Sequence, residues 1–141
     1  MQNIKYEVEV HGIAVQADKN LDITRQDDCA SITLRNGERQ LRFPVSTPTV
    51  VSGQRLKAGK FYMRFTTYDS SRIYFVKITD GDKRLVLQTD LPNWRGKLIE
   101  RSFEFPGAPI DVEWGLNVTV GVDSDTAPAR VDIIGLGVVL Y

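Results

Sequence analysis

Side chains able to perform nucleophilic or zinc chemistry are scarce in this chain. Among its 141 residues there is one histidine, His11, and one cysteine, Cys29. A catalytic nucleophile needs a base beside it, and a structural zinc site needs several Cys and His ligands. A structural zinc site is therefore excluded. Because no G-x-S-x-G motif or similar context accompanies His11, the sequence predicts a strand-end or turn role for it beside Gly12.

Two pairs of carboxylates fall in predicted turns, Asp80 with Asp82 and Asp123 with Asp125. Oxygen ligands of this kind suit hard cations, so both pairs are candidate Ca²⁺ ligands. Neither pair fits the twelve-residue EF-hand pattern, and Asp and Gly are common turn formers. The sequence therefore favours solvated turns, with Ca²⁺ as the alternative and no other cofactor predicted.

The most suggestive binding feature is the loop segment Asn93-Trp94-Arg95. An indole flanked by hydrogen-bonding side chains is a plausible platform for a sugar or a peptide, and these three residues are the predicted ligand contacts. The alternative is that Trp94 folds down and caps the end of its own domain. The second tryptophan, Trp114, alternates with Leu116 and Val118, which predicts a place in the core.

The balance of charge disfavours nucleic acid and membrane surfaces as partners. The chain has 18 basic and 18 acidic side chains and no formal net charge, so it lacks the long-range field that would attract nucleic acid or a membrane surface. Arg35, Arg39 and Arg42 come nearest to a basic patch, but Glu38 lies among them. An ordinary solvated strand face is the favoured interpretation. We expect neither nucleic-acid binding nor membrane binding.

From the first ten residues we expect no secretory signal, and the given sequence has no apolar run of about eighteen residues. Charged side chains alternate through the first ten residues, where a signal peptide would be continuously apolar. The single cysteine cannot form an internal disulfide. By default we expect a cytoplasmic location, with a processed or unconventionally released protein as the alternative.

Alternation of apolar and polar side chains predicts strands along most of the chain. The hairpin Arg72–Thr79 and Arg84–Gln88 is predicted around Asp80-Gly81, and a second, Ala30–Arg35 with Glu38–Phe43, around Asn36-Gly37. Inward rows are predicted at Phe61, Met63 and Phe65 and along Val112–Val122, and residues 13–16 are predicted to extend the first strand.

These patterns predict an all-β, antiparallel fold and a single domain spanning residues 1–141. About eight to ten strands with this many apolar rows need two sheets packed face to face. We expect a β-sandwich of jelly-roll type, with a barrel as the alternative, and with the first and last strands as neighbours.

Three functional hypotheses follow. The first is a non-enzymatic, lectin-like binding module for carbohydrate or protein that uses the loop of Trp94. The second is a structural or assembly protein that self-associates through sheet edges or faces. The third and least supported is a hydrolase. Oligomeric state is not predicted.

Overall fold

The computed structural model describes residues 6–17, 22–34, 38–45, 50–51, 53–55, 57–89, 91, 94–125 and 128–141. Over these residues the chain forms strands and one short 3₁₀-helix, Gly12–Ala14. The strands in chain order are β1 Tyr6–His11, β2 Gln16–Ala17, β3 Asp22–Arg25, β4 Ala30–Leu34, β5 Arg39–Val45, β6 Val50–Val51, β7 Gln54–Arg55, β8 Lys57–Thr67, β9 Arg72–Asp80, β10 Lys83–Gln88, β11 Ile99–Glu104, β12 Ile110–Asp111, β13 Leu116–Asp123 and β14 Ala129–Leu140.

Two antiparallel sheets form the body of the domain. The larger sheet has the order β11-β8-β14-β4-β3, with β1 also paired to β14 and β12 also paired to β8. The smaller sheet has the order β10-β9-β13-β5-β2, and β6 and β7 form a separate two-stranded ribbon. The predicted all-β, two-sheet architecture is confirmed, and so is the predicted pairing of the first strand with the last.

The core lies between the two sheets and is built by side chains that alternate along the strands. Phe61, Met63 and Phe65 of β8 have no exposed surface, as the sequence predicts. From the opposite sheet, Val118 and Val120 of β13 are equally buried. Full burial of such side chains contributes roughly 1.5–3 kcal/mol each, so the facing rows hold the sheets together.

One of the two predicted hairpins is confirmed and the other is wrong. Strands β9 and β10 pair as predicted, with Asp80 opposite Lys83. Strand β4 instead pairs with β14 and β3, whereas β5 pairs with β13 and β2 in the other sheet. The predicted turn residues Asn36 and Gly37 lie outside the described residues. Strands β4 and β5 each have a row of buried apolar side chains. The two strands lie in different sheets, so their rows enter the core from opposite sides.

The path after β1 also differs from the prediction. Residues 12–14 form the 3₁₀-helix, and a strand resumes only at Gln16. A Cβ on Gly12 would lie 1.8 Å from the carbonyl oxygen of Ile133, so only glycine allows this close approach to β14. No helix in the described part of the chain is long and apolar enough to cross a bilayer.

Candidate functional site

At one end of the sandwich, the β9–β10 turn packs against the segment that leads into β13. Asp80, the last residue of β9, is 3% exposed. Its Oδ1 accepts the backbone N–H groups of Trp114 at 2.7 Å and Gly115 at 3.1 Å, and its Oδ2 accepts the N–H of Glu113 at 2.8 Å. In return, the N–H of Gly81 donates to the carbonyl oxygen of Gly115 at 3.2 Å. A buried carboxylate that accepts three backbone donors fixes this segment firmly.

The tryptophan carried by this segment is exposed. Trp114 has 80% of its surface in solvent, so the prediction that it belongs to the core is wrong. The physical reason is that β13 begins only at Leu116, because Gly115 has a φ of 121° and turns the chain. One edge of the indole rests on the turn, since a Cβ on Gly81 would lie 3.2 Å from Cδ1 of Trp114.

Trp114 borders an open cavity of about 510 Å³. Exposed acidic side chains, Asp82, Asp111 and Glu113, line it together with Lys83. Asp111 also lies 3.7 Å from Nζ of Lys57 in a half-exposed ion pair. The remaining wall residues are Asp80, Gly107, Pro109 and Ile110. The site thus combines an indole surface with several carboxylate acceptors.

The structure places the other tryptophan inside the domain. Trp94 is 6% exposed, and its ring stacks on Phe65 at a centroid distance of 5.9 Å and an interplanar angle of 15°. This is the arrangement of the capping alternative, in which the indole offers no open face to a ligand. Arg95 is exposed, and Asn93 lies outside the described residues. That the loop contacts a ligand stays a prediction.

The four acidic residues considered for Ca²⁺ lie at two separate places. Asp80 and Asp82 are at the cavity, whereas Asp123 pairs with Arg72 at the opposite end of β9, where Nε lies 2.8 Å from Oδ1. The N–H of Asp125 donates to Oγ of Ser70 at 3.1 Å. Among the described residues, no three His, Cys, Asp or Glu side chains lie close enough to hold a metal ion together. The predicted solvated turn is wrong for Asp80, which is buried and accepts three backbone N–H groups. Calcium binding stays the untested alternative.

The surroundings of His11 and Cys29 bear on whether either residue could take part in nucleophilic catalysis. Nδ1 of His11 accepts the N–H of Ile13 at 3.1 Å at the start of the 3₁₀-helix, which matches its predicted turn role. Cys29 is buried, and this burial raises the pKa of its thiol above the usual value. A raised pKa keeps the thiol protonated at neutral pH, where it is a weak nucleophile.

Sequence reasoning missed that Trp114 is exposed. Its alternation with Leu116 and Val118 is the same as that of a core residue, so the period-two pattern is misleading here. The glycine that directly follows Trp114 is the available signal. A strand that begins only after Gly115 leaves the indole outside the alternating pattern.

The fold is similar to that of solved β-sandwich carbohydrate-binding modules. A family 29 carbohydrate-binding module from Piromyces equi matches with a TM-score of 0.56 and 11% identity, over 96% of this chain and 90% of that one. A low-affinity xylan-binding module of family 86 from Roseburia intestinalis matches with a TM-score of 0.56 and 12% identity, over 99% and 97%. The exo-beta-1,3-galactanase of Phanerochaete chrysosporium matches with a TM-score of 0.52 and 13% identity over 96% of this chain, which spans only 29% of that enzyme.

The chain itself belongs to DUF6623, a family of unknown function, whose model matches residues 5–140. No curated protein gives a significant match.

Proposed function

We propose that this protein is a non-enzymatic carbohydrate-binding module and that its ligand packs on Trp114. The observation that carries the proposal is the indole itself, which is 80% exposed at the edge of a 510 Å³ cavity lined by carboxylates. The shared fold of carbohydrate-binding modules supports the same class of function.

The chemistry of the cavity suits a sugar. The C–H face of a pyranose is apolar and can pack on a flat indole, while its hydroxyl groups need hydrogen-bond acceptors at the rim. Asp82, Asp111 and Glu113 supply carboxylate oxygens, and Lys83 supplies a donor. An aromatic surface with a few convergent polar groups is the usual composition of a small-ligand site.

The charge of the rim narrows the ligand to neutral sugars. Three exposed carboxylates line the cavity, with the ammonium group of Lys83 among the lining residues and that of Lys57 paired to Asp111. One negative charge remains after both cations are counted. A uronic acid or a sulfated sugar would bring like charge to these carboxylates, which costs binding energy. We therefore expect neutral oligosaccharides in this cavity.

A rigid support favours binding. The backbone beside Trp114 is fixed by Asp80, so little conformational entropy remains to be lost when a ligand packs on the indole. The hydrogen-bonded His11 and the protonated, buried Cys29 support a role without catalysis.

A panel of neutral oligosaccharides, including xylo-, galacto- and gluco-oligosaccharides, tests the proposal by calorimetry or on a glycan array. We expect binding by the unmodified protein and at least a tenfold loss for Trp114→Ala, because truncating a central aromatic anchor typically costs about 2 kcal/mol or more. Leu98→Ala is the matched control, since Leu98 is 72% exposed and lies outside the cavity.

The contradicting results are equally specific. Equal affinity of the unmodified protein and Trp114→Ala for a bound sugar would remove Trp114 from the site. If no neutral sugar binds, while a protein ligand binds or light scattering shows self-association, the protein-binding or assembly hypothesis replaces this one.

A further inference from the structure

The outer face of the five-stranded sheet, opposite the core, carries a second set of side chains suited to a ligand. On β13, Val118, Val120 and Val122 point into the core, so Thr119 and Gly121 point outward. The register places outward residues of β9 and β5 on either side of these two. Lys77 and Arg42 both pair with Thr119, and Gln40 pairs with Gly121.

Two aromatic rings lie on this face because of a β-bulge. Gly121 is opposite Phe75, whereas the next residue, Val122, is opposite Ile73, so Tyr74 is skipped in the register. Both rings reach the glycine, since a Cβ there would lie 2.1 Å from Cδ1 of Phe75 and 2.8 Å from Cε1 of Tyr74. The rings meet edge to face with centroids 4.9 Å apart. They therefore form a half-buried aromatic pair seated on glycine.

Two cations lie beside this pair. Lys77 and Arg42 flank Thr119 in one row across three strands, which puts their backbones roughly 10 Å apart. Neither forms an ion pair with another residue in the part of the chain that the structure describes. The carboxylate of Glu38 accepts a hydrogen bond from the Tyr74 hydroxyl at 3.1 Å. Sequence spacing alone could not bring Lys77 to Arg42, because the two residues are on different strands.

We propose that this outer face is a second glycan-binding surface, separate from the Trp114 cavity, and that it takes sugars bearing carboxylate or sulfate groups. The aromatic pair offers an apolar surface for a sugar ring, and the two cations offer charge-assisted hydrogen bonds to an anionic substituent. An apolar face without cations would suit any sugar. Cations without aromatic rings would be typical of an ordinary solvated strand face. Because rings and cations occur together, we expect this surface to prefer sugars that carry an anionic group.

Polymers that differ only in charge test this proposal. We expect the protein to bind polygalacturonate more tightly than the same polymer fully methyl-esterified, or dextran sulfate more tightly than dextran. Affinity should fall as salt is raised, since part of the attraction is between charges. Comparing the carboxylated and sulfated polymers identifies which anion the surface prefers.

Variants then locate the surface. The double variant Arg42→Gln/Lys77→Gln should lose about tenfold in affinity for the anionic polymer. The control Lys97→Gln/Arg101→Gln removes the same types of charge from β11 of the larger sheet and the loop before it, away from this face, and should change affinity less than twofold. Phe75→Leu keeps an apolar cover over Gly121 but lacks a ring, and should also weaken binding, by about threefold or more.

Four outcomes would overturn the proposal: no preference for either charged polymer, equal losses in the two double variants, an unchanged affinity in Phe75→Leu, or loss of anionic binding in Trp114→Ala. The last outcome would place anionic sugars in the cavity. Because Trp114→Ala is expected to retain binding of the anionic polymer, failure of the cavity proposal and failure of this one are distinguishable.

Discussion

Oδ1 of Asp80 lies 2.7 Å from the backbone nitrogen of Trp114, so a side chain that is 3% exposed holds in place one that is 80% exposed. The same carboxylate accepts two further N–H groups from the same segment. The position of the exposed indole therefore depends on a residue that is itself almost fully buried.

Asp80→Asn should weaken both the fold and the site. An amide group in place of one carboxylate oxygen cannot accept a backbone N–H, so at least one buried donor loses its partner. We expect the free energy of unfolding to fall by about 2–3 kcal/mol and neutral-sugar affinity to fall with it. Denaturant unfolding and calorimetry measure the two effects.

Asp82→Asn is the control for stability, because Asp82 is exposed in the same turn. Its unfolding free energy should stay within about 0.5 kcal/mol of that of the unmodified protein. If Asp80→Asn proves equally mild, the carboxylate does not support the segment as described.

The two tryptophans should differ sharply in fluorescence. The Trp114→Phe variant retains only the buried Trp94, and we expect blue-shifted emission that acrylamide quenches poorly. The Trp94→Phe variant retains only Trp114 and should be quenched readily. A readily quenched Trp94 would contradict its stacking on Phe65. Trp94→Ala, which removes a core ring, should cost about 3–5 kcal/mol of stability.

Tyr74 should ionise late in an alkaline titration. Burial, followed by its hydrogen bond to Glu38, raises the pKa of Tyr74 to about 12. Because the folded pKa exceeds the unfolded value of about 10, the associated stability is complete below pH 10 and is lost as pH rises toward 12. Tyrosinate absorbance, taken as the difference from Tyr74→Phe, measures this pKa.

Glu38→Gln separates the contribution of Glu38 to the raised pKa of Tyr74 from the contribution of burial. With a neutral acceptor in place of the carboxylate, the pKa of Tyr74 should fall toward 10 while staying above it, since burial remains. An unchanged pKa would mean that the hydrogen bond from Tyr74 to Glu38 is absent in solution.

Asp132 should make the fold sensitive to acid. Burial alone would raise its pKa, but hydrogen bonds from Arg130, Ser31 and Tyr68 outweigh burial and lower the pKa below its usual value. The Arg130 guanidinium binds both carboxylate oxygens, at 2.8 and 2.7 Å. Because the folded pKa is depressed, this stability is present above about pH 4 and is lost as pH falls through the folded pKa.

Asp132→Asn should therefore destabilise the protein at pH 7, on the order of 1–3 kcal/mol, and should flatten the acid limb of the stability curve. Unfolding followed between pH 2 and pH 7 gives both quantities. An acid limb of the same slope in the variant would assign the acid sensitivity to other carboxylates.

The fold class was predictable because it rests on a local pattern. Alternation at Phe61, Met63 and Phe65 places three side chains on one face of a strand, whatever its partners are. The Asp80-Gly81 turn likewise joins strands that are adjacent in sequence. Which strand lies beside which is a long-range property, and the residues around Asn36-Gly37 cannot reveal that their two strands belong to different sheets.

The candidate site was less predictable for a related reason. Trp114 is exposed because β13 begins after it, and Asp80 holds the preceding segment in place. Trp94 is buried because its loop packs inward, where the indole stacks on Phe65. Both arrangements depend on residues that are distant in the sequence. The aromatic pair on the outer face depends on a bulge in the register of two strands, which no single segment encodes.

Strand β14 pairs with β1, β4 and β8, all of which come from the first half of the chain. The larger sheet therefore cannot close until residues 129–140 have left the ribosome, and folding on the nascent chain must wait for the end of translation of this domain. Such a high contact order places refolding in the millisecond-to-second range typical of all-β sandwiches.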